Sequence, residues 1–375
     1  MNGIILYQPQ KIAFGTQVVL QLPDDCRQAG YRRILLLAAL PLLDTANRLA
    51  ASFDAETQII EYRFGEPTVD YFDGLLNIAG EFQPDCVIGI GGGSVLDTAK
   101  LLAALCDSRQ NVREIFGKNF LKGRNCGLIC IPTTSGTGSE VSPNAILLDE
   151  SSMEKKGVIS PYLIPDVCYI DPDLMVGLPA RITAETAMDA LSHCIEAYTN
   201  KYSHPVIDNY ALAGIRLIAD NLEIAYHDGQ NIDARAALAL GSMYGGLCLG
   251  PVNTAAVHAL SYGLGGKYHI SHGLANAILL PEVMKFNLPA SPDKYREIAL
   301  AFGAASAGEG IEKIKALSAA CGIPQKLSEI GISRSDVETL ADLAMKVTRL
   351  LVNNPREVTK EDAIDIFMKL VVNNS

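Results

Sequence analysis

The 375-residue chain has nine cysteines but no CxxC pair, and no second close pair accompanies Cys126 and Cys130. That argues against a zinc knuckle or a disulfide framework. Thiols in apolar runs such as 85–88 and 127–130 instead read as buried and reduced. No apolar run reaches the about 18 residues of a membrane span. The opening stretch MNGIILYQPQ lacks a basic segment followed by a long apolar one, so no signal peptide is expected. Positive charge is in deficit: 31 Lys and Arg face 42 Asp and Glu, a net charge of −11. Neither nucleic acid nor an anionic membrane surface is therefore expected as a main partner. No low-complexity tract or internal repeat appears. What remains is a chain 49% hydrophobic and 19% charged, long enough for two packed domains, and read as a compact cytoplasmic enzyme.

The first half alternates strand-like and helix-like segments. Continuous apolar runs at 33–39, 57–63, 85–90 and 125–131 read as strands buried on both faces, with helices at 41–53, 69–82 and 95–107 between them. That alternation implies an open, mainly parallel α/β domain. Beyond about residue 181 the strand signal fades. Helical spacing then recurs at 183–200, 205–224, 232–248, 254–265, 273–286, 290–303, 309–320, 335–350 and 360–371. The second half therefore reads as all-α, and the boundary falls near Leu178-Pro179-Ala180, with Thr183 as a plausible N-cap.

Two loops follow buried strands. Residues 88–100 read IGIGGGSVLDTAK: glycines through Gly92 and Gly93, then Ser94, then a helix carrying Asp97 and Lys100. Glycines let backbone N–H groups approach an anion, and the helix N-terminus favours negative charge there. The run also suits a plain strand-to-helix turn. Residues 131–140 read IPTTSGTGSE, with hydroxyls at Thr133, Thr134, Ser135, Thr137 and Ser139. Two such loops at the carboxyl ends of parallel strands favour a phosphate-bearing cofactor over two ordinary turns.

Asp189 and His193 are spaced i, i+4 and so project from one helix face. Such a pair also suits a surface hydrogen bond, but its neighbours here are Ala, Leu, Met and Cys, and a buried carboxylate needs a strong partner. Three of the six histidines, His258, His269 and His272, lie close together further on. Asp189, His193, His258 and His272 form a candidate metal set. One oxygen and three nitrogen donors suit Fe2+ or Zn2+ and suit Mg2+ or Ca2+ poorly.

These motifs, in this order, resemble the iron-containing (group III) alcohol dehydrogenases along nearly the whole chain. The resemblance runs from Ile12-Ala13-Phe14-Gly15 through GGGSVLDTAK, PTTSGTGSE, DPDLMVGLP and MDALSHCIEAY to HALSYGLGGKYHISHGLANAILLP and NNPREVT. It implies a Rossmann-like dinucleotide-binding domain over 1–180 and a helical metal-binding domain over 181–375, an architecture shared with dehydroquinate synthase. Metal and cofactor are expected in the cleft between them. The family's metal ligands fall on Asp189, His193, His258 and His272. Its pyrophosphate-binding residues fall on Gly93, Ser94 and Asp97, its hydroxyl loop on Thr133, Thr134 and Thr137, and a cofactor-contacting lysine on Lys156. A homodimer is implied, as is hydride transfer between NAD or NADP and an alcohol, aldehyde or ketone, with the metal stabilising the substrate oxygen.

The sequence departs from that family in three places. The early strand ends in Ala38-Ala39-Leu40 with no carboxylate for the adenosine ribose, which removes a barrier to NADP without excluding NAD. Glu66 stands where many members have Asn. Tyr262 stands four residues after His258, where many members have a further histidine; His269 is the candidate replacement as proton relay, and it equally suits a surface or structural histidine. A lyase of the dehydroquinate-synthase type would need several basic residues, and 183–200 with 254–272 offer only Lys267. A catalytically silent relative is the other alternative, and the complete ligand set argues against it.

Overall fold

The computed structural model describes residues 3–63, 65–107, 110–152 and 154–371. It divides into two units, one of residues 6–134 and 138–175, the other of residues 1–5, 135–137 and 176–375. The first unit is α/β. Its strands are β1 (Lys11–Phe14), β2 (Arg33–Ala39), β3 (Glu56–Tyr62), β4 (Cys86–Gly91), β5 (Gly117–Lys118), β6 (Gly127–Pro132), β7 (Asn144–Asp149), β8 (Glu154–Ile159) and β9 (Val167–Ile170). Its helices are α1 (Leu22–Ala29), α2 (Leu43–Ala50), α3 (Val69–Phe82) and α4 (Gly93–Leu105). The main sheet has the order β1-β9-β6-β4-β2-β3 and is parallel throughout. A smaller sheet pairs β8 with β5 in parallel and with β7 in an antiparallel hairpin.

Strands β2, β4 and β6 occupy the middle of the sheet, which is why their sequences are apolar without alternation: Ile34, Leu36, Ile88 and Ile131 are wholly buried. From β2 the chain steps outward to β3, then returns to β4 on the other side of β2. The strand order therefore reverses between β2 and β4, and their carboxyl ends form the crevice where open α/β sheets take ligands. The glycine run of residues 91–93 sits there, closing β4 and opening α4.

The second unit is helical: α5 (Ala180–Thr199), α6 (Pro205–His227), α7 (Ile232–Leu249), α8 (Ala256–Tyr268), α9 (His272–Asn287), α10 (Pro292–Ala301), α11 (Ala307–Ala320), α12 (Val337–Met345), α13 (Thr348–Leu351) and α14 (Lys360–Val371). Helix α5 is its axis, with nearly every residue from Thr183 to Thr199 buried. None of the described helices is long and apolar enough to cross a membrane.

The sequence-based segments fail in instructive places. The hairpin β7–β8 is invisible to apolar periodicity because Lys155 and Lys156 interrupt it, and β1 and β9 span only four residues each. The expected helix 335–350 breaks into α12 and α13 at Val347, whose backbone leaves the helical region beside the β-branched Thr348. Thr183 is not the N-cap of α5. The helix begins at Ala180 behind Pro179, and Thr183 lies inside it, donating to the Pro179 carbonyl at 3.2 Å and accepting from Arg235 Nη1 at 2.6 Å. Eight of the nine cysteines are buried, as expected, and all nine are free thiols.

A buried cation fixes the α/β unit around the crevice. Lys100 of α4 is wholly buried, and its Nζ donates to the carbonyls of Ser142 and Asn144, both at 2.8 Å, and to Ser139 Oγ at 2.9 Å. Those bonds tie α4 to the chain that follows the second loop. Glu140 lies in the same segment, 3% exposed, and burial pushes its carboxyl from 4.5 up to about 7. Between those two pH values the unfolded chain loses this proton before the native state does, so stability contributed by the protonated form is lost as pH rises through about 7. A Glu140→Gln variant should therefore gain on the wild type across that window, by on the order of 3 kcal/mol at pH 8. Denaturant midpoints measured at pH 4.5 and pH 8 check this; an equal offset at both pH values would refute it.

Candidate functional site

Three helices of the second unit converge on one point. Helix α5 brings Asp189 and His193, α8 brings His258, and α9 opens with His272. One donor atom from each lies within 4.8 Å of all the others. Asp189 Oδ1 stands 3.8 Å from His193 Nε2, 3.5 Å from His258 Nε2 and 3.6 Å from His272 Nε2. Four donors at ~2.1 Å from a common ion would be separated by about 3.4 Å in a tetrahedron. The observed spacing is that of a metal cage. Asp189, His193 and His258 are buried, and His272 is half-buried.

The cage is held from behind. Glu196 lies one further turn along the same face of α5, and its Oε2 meets His258 Nδ1 at 2.5 Å. Its Oε1 accepts from the backbone N–H of Val257 at 2.6 Å, satisfying a donor in the first turn of α8. This carboxylate fixes both the ring and the tautomer of His258, leaving Nε2 for the cage. His272 is placed by Glu185, which accepts from Ser271 Oγ at 2.6 Å immediately before α9. At Gly273 the two helices touch: a Cβ there would overlap the Glu185 carbonyl oxygen and stand 2.7 Å from its carbonyl carbon.

Charge in the cage is already organised for a cation. Burial would raise the pKa of Asp189, but His193, His272 and His258 outweigh it and hold the carboxyl well below its usual range. Burial lowers the pKa of His193. It works the same way on His258, yet Glu196 and Asp189 together raise that ring to about 10. Asn276, one turn into α9, donates from Nδ2 to Asp189 Oδ1 at 2.7 Å and lies 3.1 Å from His258 Nε2 and 3.2 Å from His272 Nε2. Its Oδ1 is buried with no hydrogen-bond partner among the described residues. A half-turn of that amide would present an oxygen to the cage instead. The donor set and the carboxylate backing fit a divalent ion.

The loop after β4 lies in the α/β unit, as does the loop after β6 apart from residues 135–137, which group with the helical unit. Val95 N and Leu96 N both bond to the Gly92 carbonyl, so α4 starts with the N–H groups of Gly93 and Ser94 ahead of its first internal bonds. A Cβ on Gly91 would stand 2.6 Å from Val95, and one on Gly92 would stand 3.3 Å from Thr134, which puts the two loops against each other. Thr133 donates its N–H to the Gly91 carbonyl at 3.0 Å. Asp97 is engaged by the scaffold: it accepts from Ser139 Oγ at 2.5 Å and from Ile146 N at 2.9 Å. Gly136, next to Thr137, lies against α5, where a Cβ would stand 2.9 Å from Thr186 Cβ, three residues before Asp189.

Lys156 pairs with Asp149 across the β7–β8 hairpin and lies 5.7 Å from the Phe116 ring centre. Glu66 pairs with Lys155. His269 ends α8 in the left-handed conformation, φ 54°, and is exposed. Tyr262 has its ring centre 6.3 Å from that of His272. Sequence reasoning missed Glu196 and Asn276. Both carry a readable signal, since Glu196 follows His193 by three and Asn276 follows His272 by four, each on the face of a ligand.

Comparison with known proteins agrees with this geometry. The profile described as Iron-containing alcohol dehydrogenase matches residues 9–172, and that described as Fe-containing alcohol dehydrogenase family, C-terminal, matches residues 183–371. Alcohol dehydrogenase 4 of Saccharomyces cerevisiae (strain ATCC 204508 / S288c) is 34% identical over 372 residues, 97% of either chain. The crystal structure of a 1,3-propanediol oxidoreductase superposes with a TM-score of 0.93 at 32% identity, covering 98% of this chain and 100% of the other. A sulfoacetaldehyde reductase from Bifidobacterium kashiwanohense, solved in complex with NAD+, gives a TM-score of 0.92 at 26% identity over 100% of both chains.

Removing the carboxylate behind His258 should loosen the cage without dismantling it. Glu196→Ala is expected to lower Zn2+ affinity by ~10- to 100-fold, read by competition with a chromophoric chelator, and Glu196→Gln to fall between it and the wild type. Wild-type affinity in both variants would show that Glu196 does not position the ligand.

Proposed function

The chain belongs to the iron-containing alcohol dehydrogenase family and is an alcohol/aldehyde oxidoreductase, and on that premise we propose how its residues divide the work. Asp189, His193, His258 and His272 hold the catalytic metal, Fe2+ or Zn2+. The loops after β4 and β6 hold the pyrophosphate of NAD or NADP. Residues 1–180 thus form the dinucleotide-binding domain and 181–375 the metal-binding domain. The observation that carries the reading is the convergence of one carboxylate and three imidazoles within 4.8 Å.

A divalent ion in the cage would supply Lewis-acid stabilisation of the substrate oxygen, and a nicotinamide the hydride donor or acceptor. The chain's own residues supply binding and orientation. Asp189 brings the negative charge that favours a cation over three neutral imidazoles. Glu196 aims His258 Nε2. The N–H groups of Gly93 and Ser94, at the start of α4, receive the pyrophosphate with Gly92 allowing its approach. Thr133, Thr134 and Thr137 offer hydroxyls, while Asp97 acts through Ser139 and the Ile146 backbone, shaping the loop. Lys156 reaches the cofactor by exchanging its Asp149 partner. The relative bound to NAD+ supports a nicotinamide cofactor. The bare end of β2 at Ala39 leaves room for a 2′-phosphate. The enzyme is read as a cytoplasmic homodimer, in keeping with its buried free thiols.

The test is direct. Protein loaded with Fe2+ or with Zn2+ should consume NADH or NADPH in the presence of an aldehyde, and chelation or Asp189→Asn should abolish it. Failure to consume either reduced cofactor, or turnover that survives Asp189→Asn, would overturn the assignment.

His269, exposed at the end of α8, is the proposed proton carrier to solvent. His269→Asn keeps a residue tolerant of the left-handed cap while removing the imidazole. We expect turnover to fall by on the order of 10-fold and the acidic limb of its pH profile to move. An unchanged profile and turnover would leave His269 only its role as a helix cap.

A further inference from the structure

One cationic group beside the cage is used by nothing described so far. Arg349 sits on α13, a single four-residue turn. Its Nη2 donates to the Tyr262 hydroxyl at 2.8 Å, and the guanidinium carbon is 5.6 Å from that ring's centre. Tyr262 in turn neighbours His272, their ring centres 6.3 Å apart. Tyr262 follows the ligand His258 by one turn of α8, so the guanidinium is placed one side chain away from the metal cage.

Two features make this a built position. First, α13 is anchored. The buried Asn353 just beyond it donates to the Thr254 carbonyl ahead of α8 at 2.8 Å, and the buried Asn354 exchanges side-chain bonds of 2.9 and 2.7 Å with Asn287 at the end of α9. The same two helices that carry His258 and His272 therefore locate Arg349. Second, Arg349 forms no ion pair with any carboxylate among the described residues, and its Nε and Nη1 donate to none of their side chains. Arg113, by contrast, is held by Asp70 and Asp73. A guanidinium offers five donors in a fork suited to a planar or tetrahedral anion, and only one bond is spent on the phenol.

We propose that Arg349, oriented by Tyr262, is an anion-recognising subsite beside the metal cage. The preferred substrate is accordingly a short alcohol or aldehyde carrying a carboxylate, sulfonate or phosphate on the end away from the reacting carbon. The proposal rests on the cage being the reaction centre. Arg349 sets substrate selection and apparent affinity; the hydride step belongs to the site already described.

The test uses metal-loaded, full-length enzyme and aldehydes of matched length ending in methyl, carboxylate, sulfonate or phosphate. Wild type should favour at least one charged aldehyde over butanal, and the four arms identify which anion. Arg349→Met should lower the ratio of kcat/KM for the charged over the neutral substrate by ~10- to 100-fold, chiefly through KM, with Arg349→Lys retaining part of it. Succinate, which cannot be reduced, should bind wild type and bind Arg349→Met ~10- to 100-fold more weakly in calorimetry. Efficient reduction of butanal with no preference for any charged aldehyde, or a selectivity ratio unmoved by Arg349→Met, would overturn the subsite while leaving the oxidoreductase reading intact. Succinate binding that depends on Arg349 in an enzyme that reduces none of the aldehydes would uphold the subsite and overturn the cage as reaction centre.

Discussion

A carboxylate taken out of water must find positive charge, and the helical unit is arranged around that demand. Asp189 is 2% exposed, deep in the most buried helix of the chain. Left alone it would cost several kcal/mol or take up a proton. Three imidazoles drawn from α5, α8 and α9 surround it instead, with Glu196 polarising one of them. Glu196 and Asp189 raise the pKa of His258, which favours its charged form beside the buried carboxylate. A divalent ion taken up here would displace a proton from donors that are already gathered.

The α/β unit solves the opposite problem with the same means. There the buried charge is the ammonium of Lys100, and backbone carbonyls surround it. Asp97 and Ser139 complete that cluster, so the two loops that face the crevice are tied from beneath by one polar network. The glycines give the loops their close approach, and Lys100 gives them their rigidity. Loops that bind phosphate through backbone groups need such support, since N–H donors aim only as well as the chain holding them.

Much of this was legible before any coordinates. Buried parallel strands announce themselves by continuous apolar runs, and β2, β3, β4 and β6 fall within a residue or two of where those runs lie. The ligand pair on α5 is a matter of helical spacing. What stayed hidden was hidden for physical reasons. Glu196 is a carboxylate in a helix, and sequence cannot say that its face turns inward until α8 is packed against it. Arg349 lies 87 residues from the tyrosine it touches, on a turn that exists because Asn353 and Asn354 clamp it. Lys156 sits in a motif that reads as cofactor-binding, yet its nearest partner is an acid seven residues away on the neighbouring strand. Short strands and hairpins with charged faces escape periodicity altogether.

Gly273 carries no chemistry, yet it sets a mechanical limit on the cage. Because its missing side chain lets α9 rest against the backbone of α5 at Glu185, the separation between His272 and Asp189 is governed by the thickness of a single hydrogen atom. A larger side chain at Gly273 would push the two helices apart and widen the gap between those two residues. Any discrimination among metals at this cage would then reside in the spacing of two helix axes as well as in the identity of the four donors.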